Sequence, residues 1–217
     1  MLYIVSTPIG NLKDITLRAI EVLKAVDLIA CEDTRHSRIL LQEYGIKTPT
    51  TSYYQHNRII KGEYLIGLLK EGRDIALISD AGMPGILDPG YNLINMALQN
   101  SIPITAIPGP TAFIMALVLS GKPTHRFIFE GFLSNKKVAR ARRLRELKDL
   151  GCTVVFYESC HRIVSTLQDI CDIFGEADVV LARELTKKFE EIKRAKAAEL
   201  LEHFKAHRPR GEFVVVI

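Results

Sequence analysis

The sequence has 217 residues, of which 47% are hydrophobic and 25% charged, with a formal net charge of +4. These values are typical of a globular protein of one or two domains with a sizeable core, and no apolar run is long enough to span a bilayer. The opening MLYIVSTPIGN lacks the basic start of a signal peptide, and the four cysteines show no CxxC or zinc spacing. We therefore expect a cytoplasmic protein with no membrane segment and no metal site.

Strands and helices alternate through the first half of the chain. Short apolar runs predict strands at residues 2–6, 27–31, 50–54, 75–79 and 103–107. Helical spacing predicts helices at residues 16–26, 34–44, 59–70 and 88–99, and the wholly apolar stretch 111–119 predicts a buried helix. This alternation indicates βαβ units in a mostly parallel sheet that is covered on both faces.

The stretch SGKPT at residues 120–124 predicts a boundary between two α/β domains, residues 1–120 and 121–217. In the second domain, strands are expected at residues 127–131, 152–157, 177–182 and 189–194, and in the final GEFVVVI. Helices are expected over the basic stretch at residues 136–148 and at residues 163–174 and 196–207.

Three strands of the first half are followed by unusual loops, TPIGNLKD, SDAGMPGILDPG and PGPTA. Ligands of parallel sheets bind beyond the carboxyl ends of the strands, and glycine and proline give a bare, preset backbone there. Ordinary βα turns use the same residues, but three such loops at one sheet edge favour a binding site. GxxxxGK[ST] and GxGxxG are both absent, and Lys and Arg are scarce, so the loops suit a compact, partly apolar ligand rather than a polyphosphate.

Eight segments then occur in order: TPIGNLKDIT, ACEDTRHS, ISDAGMPGILDPG, PGPTA, FEGFL, YESCHRI, ARELTKKFEE and GEFVVVI. Together they resemble the ribosomal small-subunit RNA 2′-O-methyltransferases of the RsmI type, within the tetrapyrrole-methylase fold. The resemblance implies two α/β domains, the first with a mostly parallel sheet and the second with a mixed sheet. It also implies S-adenosylmethionine (SAM) in the cleft between them, a cytidine ribose 2′-hydroxyl of 16S rRNA as substrate, and a homodimer.

The resemblance also implies the cofactor-binding residues. In the first half these are Pro8, Ile9, Ala81, Gly82, Met83, Thr111 and Ala112. In the second half they are Phe132, Tyr157, Arg183, Leu185, Gly211, Glu212 and Phe213.

The sequence departs from the family pattern at a few positions. Cys160 stands where proline is usual, Met83 where threonine is common, and Arg58 where we expect glutamate. The family chain also usually continues past the last strand. We expect Cys160 and Met83 to alter local loop shape without changing the fold.

Methyl transfer to a ribose hydroxyl needs positioning and a proton acceptor or a polarising group. Candidates from the loops are Asp14, Glu32, Asp33, Asp80, Glu158, Glu184 and Lys187. We select Asp14 and Lys187 as the catalytic residues. The alternatives are that Asp14 caps a helix, and that Lys187 is a solvated or phosphate-contacting amine, because a lysine acts as a base only with a depressed pKa.

Two further segments are candidates for RNA contact. Arg35 in ACEDTRHS is free to contact RNA in one interpretation, whereas in the other Asp33 or Thr34 caps a helix and Arg35 pairs with Glu32. The basic helix offers Lys136, Lys137, Arg140 and Arg143 for phosphate contacts, although a charge run is usually a solvated face.

Two other functions compete with rRNA methylation. One is a small-molecule methyltransferase of the same fold that acts on a tetrapyrrole, and the other is a catalytically silent RNA-binding module. The basic helix weighs against the first, and the strand-exit loops weigh against the second.

Overall fold

The computed structural model describes residues 1–217, which divide into two compact units, Met1–Thr111 and Ala112–Ile217. The sequence placed the boundary later, at residues 120–121. The intervening helix, α5 (Ala112–Ser120), packs on strands of the second unit. An apolar helix carries no sequence signal of which sheet it covers, and this accounts for the difference.

The first unit is built on one parallel sheet. Its strands are β1 (Leu2–Val5), β2 (Leu28–Cys31), β3 (Thr50–Ser52), β4 (Ile75–Ile78) and β5 (Ile104–Ile107). Its helices are α1 (Leu17–Ala25), α2 (Thr34–Glu43), α3 (Arg58–Lys70) and α4 (Gly90–Gln99). The strand order is β3-β2-β4-β1-β5, and every neighbouring pair is parallel.

Both faces of this sheet are buried, because successive strand residues point to opposite sides. Val5 and Ile78 join one apolar cluster with Leu23 of α1, whereas Ile4 joins the other with Leu65 of α3. All four β4 residues are buried, so this strand reads as a continuous apolar run.

Local signals set the ends of the helices. The Thr16 side chain accepts a hydrogen bond from the Ala19 backbone N–H and caps α1, and Asp33 caps α2 in the same way through the Arg35 N–H. Gly45, with φ +60°, ends the α2 segment in the left-handed region.

The second unit carries a mixed sheet. Its strands are β6 (Phe127–Phe132), β7 (Thr153–Ser159), β8 (Asp178–Arg183), β9 (Glu191–Lys196) and β10 (Glu212–Val216). Besides α5, its helices are α6 (Lys137–Asp149), α7 (Ile163–Phe174) and α8 (Ala197–Ala206). The order is β6-β7-β10-β8-β9; β6 and β7 are parallel, and the other pairs are antiparallel.

The predicted fold class, a mostly parallel sheet followed by a mixed sheet, is confirmed. Every predicted strand and helix is present, with the bounds displaced by two residues at most, as at the end of β3. The short 3-10 helix Leu12–Asp14 was not predicted. None of the helices combines the length and the apolar character that crossing a membrane requires.

Candidate functional site

The three unusual loops leave adjacent strands of the first sheet. β1 lies between β4 and β5, and its last residue, Val5, is in register with Ile78 on one side and Ile107 on the other. The three loops therefore leave the sheet at the same level. The strand order thus brings the three loops to one edge of the sheet, as the sequence predicts.

The β1 and β4 loops are tied together by their backbones. The Thr7 N–H donates to the Gly82 carbonyl at 2.9 Å, and the Gly82 N–H donates to the Thr7 carbonyl at 3.0 Å. Buried hydroxyls reinforce this bridge: Thr7 Oγ1 donates to the Ser79 carbonyl at 2.9 Å and Ser79 Oγ to the Gly82 carbonyl at 3.1 Å. Gly82 has φ +87°, a conformation that side chains disfavour.

The β5 loop closes against the β1 loop. Ser6 Oγ donates to the Pro110 carbonyl at 2.8 Å. A Cβ added at Gly109 would lie 2.8 Å from Ser6 Cβ, which is closer than two such atoms approach, so glycine is required for this packing. A Cβ at Gly82 would contact Ile9 at 3.6 Å and the Pro110 carbonyl at 3.7 Å, so all three loops converge on Gly82.

The edge formed in this way fits a compact ligand with an apolar part. It is made of backbone, hydroxyls and small apolar side chains, and neither the Thr7–Gly82 bridge nor the Ser6–Pro110 bond involves a charged group. Of the predicted cofactor residues, Pro8 and Gly82 are buried, Ile9 and Met83 are half-buried, and Ala81 is exposed. Thr111 ends the β5 loop, whereas Ala112 begins α5 in the second unit.

The residues after β2 mainly shape their own loop. Asp33 caps α2 and also binds the Arg35 guanidinium, with 2.9 Å between Asp33 Oδ2 and Arg35 Nη2. These bonds lower the pKa of Asp33 to about 2. The expected cap is therefore present, but the expected Arg35–Glu32 pair is wrong, because the nearer Asp33 takes the guanidinium.

Glu32 and Asp80 bring negative charge to the exits of β2 and β4. Asp80 accepts a hydrogen bond from the Asp33 N–H at 3.3 Å. Burial, followed by the charges of Asp80 and Asp88, raises the pKa of Glu32. No group of three or more His, Cys, Asp or Glu side chains is arranged to hold a metal ion.

Asp14 lies at the end of the 3-10 helix that follows β1. It is not the cap of α1, because Thr16 performs that role, so the alternative interpretation of Asp14 is wrong. Its Oδ2 atom is buried and has no hydrogen-bond partner. A buried carboxylate oxygen without a donor is unusual, and a catalytic role is one of the explanations for such an atom.

In the second unit, the predicted cofactor residues also gather at one edge. Ser159 at the end of β7 pairs with Glu212, and Arg183 at the end of β8 pairs with Phe213, so these strand ends meet at the start of β10. Phe132, the last residue of β6, is 60% exposed. Its ring lies 5.5 Å from that of Tyr157, and burial raises the pKa of the Tyr157 hydroxyl.

Lys187 belongs to a group of charges that joins the β8 exit to the start of β10. Its Nζ lies 3.0 Å from Glu184 Oε1 and 2.8 Å from Glu212 Oε2. Burial lowers the pKa of Lys187, but the hydrogen bonds to the two carboxylates outweigh it and raise the pKa overall. Lys187 is therefore an ammonium ion, and the prediction that it acts catalytically cannot mean that it acts as a base.

Glu184 holds the same edge through its backbone and side chain. Its Oε1 accepts from the Glu212 N–H at 2.9 Å, and its own N–H donates to the Glu212 carbonyl at 3.0 Å. Any Cβ at Gly211 would come within 2.5 Å of the Glu184 side chain. Glu184 therefore stabilises this edge through both its backbone and its carboxylate.

The remaining predicted cofactor residues of this unit differ in accessibility. Leu185 and the Phe213 side chain are buried, so Phe213 offers only its backbone to a ligand. Arg183 lies 3.1 Å from Glu191 and also donates to the Arg210 carbonyl at 3.4 Å.

The basic helix is less basic on its surface than its sequence suggests. Arg140 is 4% exposed and lies 2.6 Å from the equally buried Asp169 of α7. A buried and paired guanidinium does not reach a surface phosphate, so the structure corrects the expected RNA contact of Arg140. The sequence contained a signal that Arg140 is buried, because it shares its helix face with Leu144 and Leu147, which are both buried.

The other predicted RNA contacts of this helix are either ion-paired or exposed. Arg143 forms two hydrogen bonds to Glu130, at 2.7 and 2.8 Å, and one to Glu146 at 2.9 Å. These bonds raise the pKa of Arg143 and use three of its five N–H donors. Lys136 and Lys137 are exposed at the start of the helix, where the predicted phosphate contacts stay possible.

Sequence reasoning missed the role of the YESCHR segment. Glu158 is buried, and it bonds to Thr166 and lies beside Arg162, four residues along the chain. The available signal was the spacing of Glu158 and Arg162, an acid and a base four residues apart at the end of a buried strand.

Comparison with known proteins shows the family of the chain. The tetrapyrrole (corrin/porphyrin) methylase family model matches residues 1–201. A Thermotoga maritima protein named ribosomal RNA small subunit methyltransferase I is 47% identical over 216 residues, covering 100% of this chain and 97% of that protein. A protein of the same name from Escherichia coli O157:H7 is 49% identical over 219 residues, covering 100% and 77%.

Solved structures show the same fold. A uroporphyrin-III C-methyltransferase from Thermus thermophilus, solved in complex with S-adenosylhomocysteine, has a TM-score of 0.67 at 17% identity and covers 99% of this chain and 96% of its own. The chain belongs to the tetrapyrrole methylase family and, within it, to the ribosomal RNA small subunit methyltransferase I proteins. The family predicted from the eight segments is confirmed.

Proposed function

We propose that this protein is a SAM-dependent methyltransferase that modifies the 2′-hydroxyl of a cytidine ribose in 16S rRNA of the small ribosomal subunit. The observation that carries this proposal is the identity of about half of all residues, over the whole chain, to relatives named ribosomal RNA small subunit methyltransferase I. The edge of backbone and hydroxyls in the first unit is chemically suited to a nucleoside-bearing cofactor.

The proposed cofactor contacts in the first unit are the loop residues around the Thr7–Gly82 bridge. Pro8, Ile9, Ala81, Gly82, Met83 and Thr111 supply backbone groups and apolar contacts that are fixed before binding. SAM, when bound, supplies a methyl group on a positively charged sulfur. The Thr7–Gly82 bridge and the Ser6–Pro110 bond involve no charged group, so these bonds impose no desolvation of charge on binding.

In the second unit, the proposed contacts are Ala112, Phe132, Tyr157, Arg183, Leu185 and the backbone of residues 211–213. The exposed face of Phe132 against Tyr157 offers apolar surface for a nucleoside. The Glu184–Lys187–Glu212 group fixes the backbone that precedes β10.

We propose that the Asp14 carboxylate accepts the proton of the ribose hydroxyl. Its unpartnered Oδ2 has an acceptor position available for a hydroxyl donor. Lys187 remains charged and serves as a fixed positive group rather than as a base. Lys136, Lys137 and Arg35 are the proposed phosphate contacts, and the Arg35 side chain is 90% exposed although it is paired with Asp33.

Transfer of labelled methyl from SAM to undermethylated small ribosomal subunits tests the proposal. We expect label in 16S rRNA, recovered as 2′-O-methylcytidine after nuclease digestion and mass spectrometry. Asp14→Asn should lower kcat by about 10²–10⁴-fold, the usual contribution of a positioned proton acceptor, while the calorimetric affinity for SAM stays unchanged. Transfer to a precorrin or uroporphyrinogen, with none to rRNA, contradicts the proposal.

We further propose a homodimer that acts in the cytoplasm, where ribosomal subunits are assembled. Exposed apolar side chains on α3, including Ile59 and Ile60 at 67% and 77% exposure, offer surface for self-association. Light scattering after gel filtration should give twice the 24.4 kDa mass of the chain.

A further inference from the structure

The loop between β6 and α6 joins two of the proposed contact regions. It begins directly after Phe132, a proposed cofactor contact, and it ends at Lys136 and Lys137, the proposed phosphate contacts. Its conformation therefore sets where both groups lie. The loop has only one backbone-to-side-chain bond of its own, from the Lys136 N–H to Ser134 Oγ at 3.2 Å.

A single arginine outside the loop holds its backbone. Arg162 Nη2 donates to the Leu133 carbonyl at 2.7 Å and to the Ser134 carbonyl at 3.2 Å. Charged donors form stronger hydrogen bonds than neutral ones. Two consecutive carbonyls are thus fixed by one nitrogen atom.

The arginine forms an ion pair with a buried carboxylate, although its Nε makes no hydrogen bond. The Glu158 side chain is fully buried, and its Oε1 lies 3.3 Å from Arg162 Nε. Its Oε2 accepts from Thr166 Oγ1 at 2.7 Å, and its Oε1 accepts from the Ser159 N–H at 2.9 Å. Both oxygens of Glu158 are therefore occupied, which leaves the carboxylate one orientation.

This arrangement comes from a short stretch of chain. Glu158 lies near the end of β7, Arg162 immediately precedes α7, and Thr166 lies in the first turn of α7. The turn is closed by the Arg162 N–H, which donates to the Ser159 carbonyl at 3.1 Å. Anchors on rigid elements hold a loop more exactly than anchors on another loop.

We propose that Arg162 is a positioning residue for the rRNA substrate. Held by Glu158 and Thr166, it fixes the β6–α6 loop so that Lys136 and Lys137 meet the RNA backbone in one arrangement. This inference rests on the proposed function, because it takes rRNA as the ligand of those lysines.

The same unit supplies a matched control. Arg140 and Asp169 form a second buried ion pair, at 2.6 Å, which links α6 to α7 without bonding to the β6–α6 loop. A change in this pair should disturb stability but leave the position of the loop intact.

The test compares Arg162→Lys with Asp169→Asn in steady-state methylation of small ribosomal subunits. A lysine keeps the positive charge, but one ammonium cannot contact Glu158 and both carbonyls together. We expect roughly a tenfold rise in KM for the RNA in Arg162→Lys, a kcat within about twofold, and an unchanged KM in Asp169→Asn. Thr166→Val, which frees one Glu158 oxygen without changing side-chain size, should raise KM by about threefold.

Hydrogen exchange at residues 133–136 gives a second measurement that does not depend on turnover. Exchange should accelerate in Arg162→Lys and Thr166→Val but not in Asp169→Asn. Equal KM values in Arg162→Lys and Asp169→Asn, with active wild-type enzyme, overturn the positioning role alone. A wild-type protein that transfers no methyl to rRNA overturns the proposed function and this inference with it. If Arg162→Lys does not fold, the KM and exchange of Thr166→Val decide the question.

Discussion

The candidate ligand edges of the two units are closed by different kinds of bond. In the first unit, the Thr7–Gly82 bridge and the Ser6–Pro110 bond use only backbone and hydroxyl groups. In the second unit, Glu184, Lys187 and Glu212 form a chain of charges around the start of β10. The first edge depends on glycine geometry without ion pairs, whereas the second combines a required glycine, Gly211, with ionised side chains.

This difference separates the responses of the two units to sequence and solvent. Backbone bonds are insensitive to salt but fail when a glycine gains a side chain. Ion pairs weaken when one partner is lost or screened by salt. Variants chosen in the two units can therefore test backbone bonding and ionic bonding separately.

The largest effect is expected in the second unit, from loss of the buried Arg140–Asp169 pair. Asp169→Ala leaves Arg140 charged and unpaired in the interior, which should lower the free energy of unfolding by about 3–5 kcal/mol. Urea unfolding followed by circular dichroism measures this loss. The double variant Arg140→Met/Asp169→Leu should recover most of it, and a double variant as unstable as Asp169→Ala would show that the charge is not the cause.

An intermediate effect is expected at Gly82 in the first unit. Gly82→Ala places a side chain at φ +87°, so we expect a loss of about 1 kcal/mol in stability and a roughly tenfold weaker affinity for SAM. Gly45→Ala is the control, because Gly45 has φ +60° and no atom within 4 Å of an added Cβ. Calorimetry should show equal SAM binding in Gly45→Ala and wild type; equal binding in Gly82→Ala would remove this loop from the site.

The smallest effect is expected from the Asp33 cap of α2. The pKa of Asp33 in the folded protein is about 2, below its ordinary value of 3.8. The ionised Asp33 therefore stabilises the fold fully above pH 3.8, and this stabilisation is lost as the pH falls through 2. Asp33→Asn should change stability little at neutral pH, because asparagine also caps helices, and it should remove this part of the acid dependence. A carboxyl NMR titration of Asp33 with a midpoint near 4 would contradict the assignment.

The elements of both sheets were predictable because their patterns are local. β4 is an unbroken apolar run between Asp74 and Ser79, and α7 repeats its apolar residues at helical spacing. The position of three glycine-rich and proline-rich loops at one sheet edge was predictable too, because parallel strands place their carboxyl ends at the same edge.

The partners of the charged residues were not predictable to the same degree. Lys187 was selected as catalytic, yet its charge is fixed by Glu212, twenty-five residues further along the chain. Arg140 was assigned to the surface, yet it pairs with Asp169 on another helix. The helix face of Arg140 indicates that it is buried, but its partner depends on tertiary packing, which residue order along one helix does not encode.

The level alignment of Val5, Ile78 and Ile107 limits how this architecture can diversify. One residue inserted into β1 would advance its exit by about 3.3 Å and reverse the face of every following side chain. The Thr7–Gly82 bridge would then lose both partners at once. New ligand preferences in relatives of this protein must therefore arise by exchanging loop residues between strands of fixed length, so alignments of such relatives should place their gaps within the loops and none within β1, β4 or β5.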